Sequence, residues 1–115
     1  MGFGWDAAQT HLPHKYPKAS LAATGTHDNN TSIGWYRSVD HPGTKDWIQR
    51  YLQTDGTDLA WVMIAAVLRS AADTVVTPVQ DLLSMGADGR MNLPGVATGN
   101  WGWRLKPGAL TQGIW

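Results

Sequence analysis

The sequence predicts an α/β chain built around two parallel strands that are joined by helices. Three observations carry this prediction: two short apolar runs, three helix-compatible segments between them, and a polar cluster directly after each run. A run that is apolar without alternation is typical of a parallel strand covered on both faces. The order strand, helices, strand is that of a βαβ unit, in which ligand-binding groups collect at the carboxyl ends of the strands.

The two strands are predicted at residues 21–24 and 74–78. The first run, LAAT, is closed by Gly25, and the second, TVVTP, ends at Pro78 because proline has no N–H to donate to a β-ladder. Both should be buried.

Polar clusters follow both predicted strands at once. His27 and Asp28 come after the first strand, and Gln80 and Asp81 come after the second. Because parallel strands end at the same edge of a sheet, we expect these two clusters to lie close together.

Three helices are predicted between the strands. The first covers residues 31–38, with Asn30 or Thr31 as its cap, is weakened by Gly34, and is ended by the residues at 41–43. Apolar residues at offsets of three and four predict the second over 45–53. The third covers 58–72, with Thr57 or Asp58 as its cap, and is apolar nearly all round, so that it requires partners on several sides.

The remaining segments are predicted as one short helix and two loop regions. The helix covers 79–85 and is capped by Gly86. Glycine and proline break up residues 1–19 and 86–115, which predicts irregular loops at both ends.

Composition and charge favour a neutral ligand. Nine Lys and Arg residues balance nine acidic ones without clustering, which argues against nucleic acid and against an anionic membrane surface. The chain has no cysteine, no leader-like start and no apolar run of membrane length, from which we expect a cytoplasmic protein. Seven Trp residues offer flat faces that suit a core or the rings of sugars.

Metal and cofactor sites are not predicted. His11 and His14 form a lone pair in a Pro-rich loop, and no third ligand lies at a metal-binding spacing. The chain also lacks the glycine patterns that cradle phosphates, which disfavours nucleotide binding.

Three ordered stretches resemble the amylomaltases, the family 77 glycoside hydrolases. They are LPHKYP at 12–17, TGTHDNNTSIGWY at 24–36 and TPVQDLLSMGADGRMNLPGVATGNWGWRL at 77–105. The resemblance implies that residues 1–115 are the C-terminal βαβ portion of a (β/α)₈ barrel, its last two βα units, with a long C-terminal loop region and no second domain. A complete barrel needs about 250 residues, so the rest of the catalytic barrel is an implied partner.

The resemblance also implies an activity and a set of site residues. Members of the family are 4-alpha-glucanotransferases, which move segments of α-1,4-glucan between maltooligosaccharides or starch-derived chains by a retaining route. Asp28 matches the family's catalytic carboxylate that stabilises the transition state, and His27 matches a neighbour that binds the same sugar. The resemblance also implies that four residues of the third stretch bind substrate: Asn92, Asn100, Trp101 and Arg104.

The chain departs from the family pattern in its carboxylates. All nine acidic residues are Asp, so the acid/base Glu of the family has no counterpart, and the nucleophilic Asp belongs to a segment that is not present. Retaining hydrolysis requires two carboxyl groups about 5 to 5.5 Å apart. Asn30 also stands where many relatives carry an acidic residue. We therefore predict that residues 1–115 alone do not catalyse the transfer.

Other interpretations remain open at this point. The chain could be a glucan-binding remnant without catalysis, or a fragment without function that folds poorly. Asp28 could cap a helix, Trp47 and Trp61 occupy helical positions typical of a core, and one of Trp101 and Trp103 could face a ligand while the other packs inward. Asp81 and Arg90 could form a structural ion pair.

Overall fold

The computed structural model describes residues 11–114, and it confirms an α/β chain. Most of the loop predicted at 1–19 therefore lies outside the described residues. The elements in chain order are β1 (Leu21–Ala23), α1 (Ser32–Ser38), α2 (Pro42–Leu52), α3 (Leu59–Leu68), β2 (Thr74–Val76) and α4 (Val79–Leu82). Short 3₁₀ turns lie at Pro13–Lys15, Ala87–Gly89 and Gln112–Ile114.

The two strands pair in parallel, as the sequence predicts. Leu21 is opposite Thr74, and Ala23 is opposite Val76. The prediction that both strands are buried is wrong for the described residues: Ala22 is buried, but Leu21 is 63% exposed and Val76 is 49% exposed. Successive side chains of a strand point to opposite faces, so a neighbour such as α3, which packs against β1, does not bury every strand residue.

Helix α1 begins at a Thr31 cap and depends on the glycine that weakened its prediction. Thr31 Oγ1 accepts the backbone N–H of Gly34 at 3.0 Å, and Asn30 Oδ1 accepts the N–H of Thr31 at 2.9 Å. The Asn30 side chain lies directly over Gly34, where an added Cβ would come within 2.4 Å of its Oδ1. Gly34 therefore allows Asn30 to close the start of the helix.

Helix α2 begins earlier than predicted. The residues at 41–43, expected to end the preceding helix, instead start this one, with Pro42 in its first turn. Proline suits that position because its missing N–H would have no intrahelical acceptor. The helix ends at Leu52, where Gln53 adopts a left-handed conformation with φ 54°.

Helix α3 is the centre of the core and is shorter than predicted. It ends at Leu68 rather than at residue 72, because the chain turns there towards β2. It packs on α1, α2, α4 and β1, which agrees with the expectation that its apolar circumference needs several partners. The buried cluster between α2 and α3 consists of Ile48, Leu52, Leu59 and Met63.

The segment after β2 departs from its prediction in one detail. Helix α4 is a single turn that ends at Leu82, with Leu83 rather than Gly86 as its C-cap. The following chain up to residue 114 has no longer element than a 3₁₀ turn, in agreement with the predicted loop region. This loop returns over the carboxyl ends of the strands, where the polar clusters lie.

Candidate functional site

The turn between β1 and α1 presents His27 and Asp28 at its tip. Asn29 closes the base of the turn: its Oδ1 accepts the N–H of Thr26 at 2.8 Å and the Thr26 hydroxyl at 3.0 Å. A short side chain that bonds back to its own backbone fixes a turn locally. His27 and Asp28 thus leave the turn with their side chains largely exposed. In the structure Thr31, not Asp28, caps α1.

The carboxylate of Asp28 is held on one of its two oxygens. Asn92 Nδ2 donates to Asp28 Oδ1 at 2.7 Å, and His27 Nε2 lies 3.4 Å from the same oxygen. Within residues 11–114 no donor reaches Oδ2. One carboxylate oxygen is therefore oriented by the protein, and the other is available to hydroxyl groups of a ligand.

Trp101 extends this group with an aromatic face. Its ring lies against that of His27, with centroids 5.2 Å apart, and is 52% exposed. Its backbone N–H donates to the carbonyl of Met91 at 2.8 Å, and its φ of 63° is uncommon for a residue with a side chain. Such outliers persist where the surroundings enforce them and concentrate at functional sites.

The side chains of Asn100 and Arg104 instead form hydrogen bonds to backbone groups of their own loop. The Asn100 amide accepts the N–H of Leu93 at 2.8 Å and donates to the carbonyl of Val96 at 2.8 Å. Arg104 Nη1 donates to the carbonyls of Trp101 and Trp103, both at 2.8 Å. The structure thus brings His27, Asp28, Asn92 and Trp101 together, whereas these two side chains bind backbone around them.

The ion pair between Asp81 and Arg90, which the sequence left open, does not form. Asp81 is 2% exposed and accepts three hydrogen bonds: from Thr24 Oγ1 at 2.6 Å, from Ser32 N at 2.8 Å and from Ser32 Oγ at 2.8 Å. These donors lie on both sides of the turn that carries Asp28. A buried carboxylate is tolerated where hydrogen bonds replace its hydration, and Asp81 meets that condition without a cation.

Arg90 is a site residue that the sequence reading missed. Its Nη2 donates to the backbone carbonyl of Asp28 and its Nε to that of Asn92, each at 2.8 Å. Its position two residues before Asn92 was a signal, but the sequence alone offered Asp81 as the obvious partner for its charge.

A cleft of about 310 Å³ lies at the carboxyl ends of the two strands. His27, Trp101, Arg90 and Asp81 contribute to its lining, as does Val76 of β2. Asp28 is not among the lining residues, and its carboxylate is bonded to Asn92 next to His27. The cleft lining includes the imidazole of His27, the indole of Trp101 and the polar residues Asn29 and Asn30, a set that suits a ligand with both ring faces and hydroxyls.

Away from the cleft, two expectations on tryptophan are corrected. Trp47 is 36% exposed and Trp61 is 37% exposed, so neither is a core residue within the described part of the chain. Trp47 stacks on Tyr51, with ring centroids 5.6 Å apart. Tyr16 and Asp55 also lie outside the cleft: burial and then the nearby Tyr51 raise the pKa of Tyr16, and hydrogen bonds from Thr57 lower the pKa of Asp55.

Across residues 11–114, no helix has the length and apolar character to cross a bilayer. In the same range no three His or Asp side chains are grouped as metal ligands would be.

Comparison with known sequences identifies relatives over nearly the whole chain. A sequence model of a glycoside hydrolase 77 family, described as 4-alpha-glucanotransferase, matches residues 1–111. A 4-alpha-glucanotransferase of Thermus thermophilus is 43% identical over 108 residues, covering 87% of this chain and 21% of that protein. The chloroplastic/amyloplastic 4-alpha-glucanotransferase DPE1 of Arabidopsis thaliana is 40% identical over 104 residues, covering 90% of this chain and 18% of that protein.

The fold of the chain is also similar to part of a solved structure. The amylomaltase of Streptococcus agalactiae, in complex with acarbose, superposes with a TM-score of 0.86 at 30% identity. The match covers 92% of this chain and 21% of that one. The chain therefore spans about a fifth of the length of the relatives that it matches.

Proposed function

The chain belongs to the 4-alpha-glucanotransferase family, and from that premise we propose that the protein transfers α-1,4-glucan segments between maltooligosaccharides or starch-derived glucans by a retaining route. We further propose that residues 1–115 correspond to the last two βα units of a (β/α)₈ barrel and form no second domain. The parallel pairing of β1 and β2, with helices between them, supports this placement.

The observation that carries the proposal is that, in the described chain, protein groups approach only one of the two oxygens of the Asp28 carboxylate. Asn92 and His27 approach one oxygen, and the other meets no donor in the described chain. A carboxylate held in this way can accept hydroxyl hydrogen bonds from a sugar ring and stabilise positive charge as the ring approaches an oxocarbenium-like transition state. In this role Asp28 forms no covalent bond to the substrate.

The neighbouring residues are assigned to binding the same ring. His27 and Trp101 would contact the sugar through the imidazole and the exposed indole face, and Asn92 would share its amide between Asp28 and a hydroxyl. Asn100 and Arg104, assigned to substrate binding by resemblance, would act through the loop backbone that their side chains hold.

The two carboxyl groups of the retaining mechanism are assigned to other parts of the barrel. The chain contains no Glu. Both carboxylate oxygens of the buried Asp81 already accept hydrogen bonds, from Thr24 and from Ser32. About four-fifths of each relative lies outside the matched region. Residues 1–115 alone would then bind part of the substrate without cleaving it, and the remainder of the barrel would be the partner that completes the site.

The test is disproportionation of maltotriose by the protein expressed from its own gene. Release of glucose together with longer maltooligosaccharides, inhibited by acarbose, is the expected result. Asp28→Asn should lower kcat by roughly a hundredfold with a much smaller change in KM, because the lost interaction strengthens only in the transition state. Hydrolysis without transfer, or full activity of Asp28→Asn, would count against the proposal.

A further inference from the structure

Arg90 joins Asp28 and Asn92 at their backbones, while their side chains bond to each other. The guanidinium donates from Nη2 to the Asp28 carbonyl and from Nε to the Asn92 carbonyl, each at 2.8 Å. The side-chain bond between Asn92 and Asp28 is 2.7 Å long. The three residues thus form a closed ring of hydrogen bonds between the β1–α1 turn and the C-terminal loop.

The geometry of this ring depends on a guanidinium. Two N–H donors fixed in one plane can reach two carbonyls at once, whereas an ammonium group on a flexible chain offers no such fork. In the described chain Arg90 makes no ion pair, so its charge strengthens bonds to neutral carbonyls.

Both segments joined by Arg90 lack regular structure at the joined residues. Asp28 lies in a turn, and Asn92 lies in a loop segment between a 3₁₀ turn and Gly95. A site built on loops is held less accurately than one built on helices or strands, and it needs supporting contacts to fix its geometry. Arg90 is the residue that supplies such a contact to both segments.

We propose that Arg90, which also lines the cleft, is a positioning residue: by binding both backbone carbonyls it sets the orientation of the Asp28 carboxylate and the Asn92 amide. The inference rests on the proposed function, since Asp28 is the group that it would orient. Loosening the ring should disturb the transition state more than ground-state binding, because small displacements of a positioned group reduce rate before they reduce affinity.

The experiment compares Arg90→Lys and Arg90→Gln in the protein expressed from its own gene. Arg90→Lys keeps the charge and Arg90→Gln keeps a planar donor group, but neither has donors on two separate nitrogens in one plane, as Nε and Nη2 are, to reach the two carbonyls. Arg50→Lys and Arg50→Gln, at an exposed residue paired with Asp46, are the matched controls. Two quantities are measured: the ¹H shift and hydrogen exchange of the Asn92 side-chain amide without sugar, and the kcat and KM of maltotriose transfer.

In both Arg90 variants the hydrogen-bonded Asn92 amide proton should move upfield and exchange faster, and kcat should fall about tenfold with KM nearly unchanged. The Arg50 variants should change neither. An unaltered Asn92 signal would overturn the inference whatever the activity, and so would a disturbed signal with unaltered kcat. Absence of transfer by the unsubstituted protein would instead count against the proposed function. The Asn92 amide signal would still show whether Arg90 holds the ring of hydrogen bonds together.

If the variants do not fold, a measurement on the unsubstituted protein tests whether Arg90 makes both hydrogen bonds in solution. The two bonds should slow rotation about the Arg90 Cζ–Nη2 bond and protect the Nε proton from exchange, which ¹⁵N-resolved spectra of arginine side chains report. A freely rotating, fast-exchanging Arg90 guanidinium would contradict the inference.

Discussion

The side chains of Asp28 and Asn92 meet at 2.7 Å although the two residues are 64 positions apart in the chain. One comes from the turn after β1 and the other from the loop that follows α4 and its 3₁₀ turn. This contact joins two separate irregular segments at the place proposed for sugar binding.

The first prediction concerns the effect of a second negative charge at this contact. Asn92→Asp places a second carboxylate against that of Asp28, so the variant should be less stable than Asn92→Ser at pH 7 by about 1 kcal/mol. The difference should vanish near pH 2, where carboxylates are protonated. Urea unfolding of both variants at the two pH values measures this. Equal stability of the variants at pH 7 would show that the two side chains are not in contact.

The second prediction concerns buried Asp81. Asp81→Ala leaves the Thr24 hydroxyl and the N–H and hydroxyl of Ser32 without their acceptor, which should lower the free energy of unfolding by about 3 kcal/mol. The exposed Asp46, paired only with Arg50, is the control, and Asp46→Ala should cost less than about 1 kcal/mol. Similar losses for the two variants in chemical denaturation would contradict the described network.

The third prediction uses the left-handed backbone of Trp101. Trp101→Gly and Trp101→Ala both remove the indole, but only glycine adopts a φ of 63° without strain. The glycine variant should therefore be more stable than the alanine variant by about 1 kcal/mol. Thermal denaturation compares them directly. Both should bind maltooligosaccharides more weakly than the unsubstituted protein, as isothermal titration would show, because both lack the platform beside His27.

The fourth prediction is a pH dependence at Asp55. The backbone N–H of Thr57, 2.8 Å from Asp55 Oδ1, is the main reason that the pKa of this carboxyl lies below its ordinary value of 3.8. Since the folded-state pKa is the lower one, Asp55 stabilises the fold above pH 3.8, and this contribution is lost as the pH falls through the folded pKa. Asp55→Asn keeps an acceptor for Thr57 but cannot titrate. Its urea midpoint should fall less steeply between pH 5 and pH 2 than that of the unsubstituted protein, and parallel curves would contradict this assignment.

Local patterns in the sequence were sufficient for the order and type of the elements. Apolar runs, offsets of three and four, and the Thr31 cap each act within one or two turns of chain, so neighbouring residues determine them. Boundaries were less accurate: Pro42 begins α2 because its φ suits a first helical turn, whereas the prediction used it as a stop.

Burial was predicted poorly where it depends on what covers a surface. Leu21, Val76, Trp47 and Trp61 are apolar and were expected inside, yet each is substantially exposed in the described chain. An apolar pattern states that a face favours contact with other apolar groups, but only packing decides whether such groups are present.

The sequence by itself determined the family, the α/β order and the position of His27 and Asp28 directly after the first strand. Only the tertiary structure decided that Asp81 binds Thr24 and Ser32, that Arg90 binds the backbones of Asp28 and Asn92, and that Asn100 and Arg104 serve their own loop. From the sequence, the opposite charges of Asp81 and Arg90 left an ion pair between them open. The partners of Asp81 and the Asp28 partner of Arg90 lie 49 to 62 residues away in the chain, and hydrogen-bond geometry at such separations is set by how the chain closes on itself rather than by the residues alone.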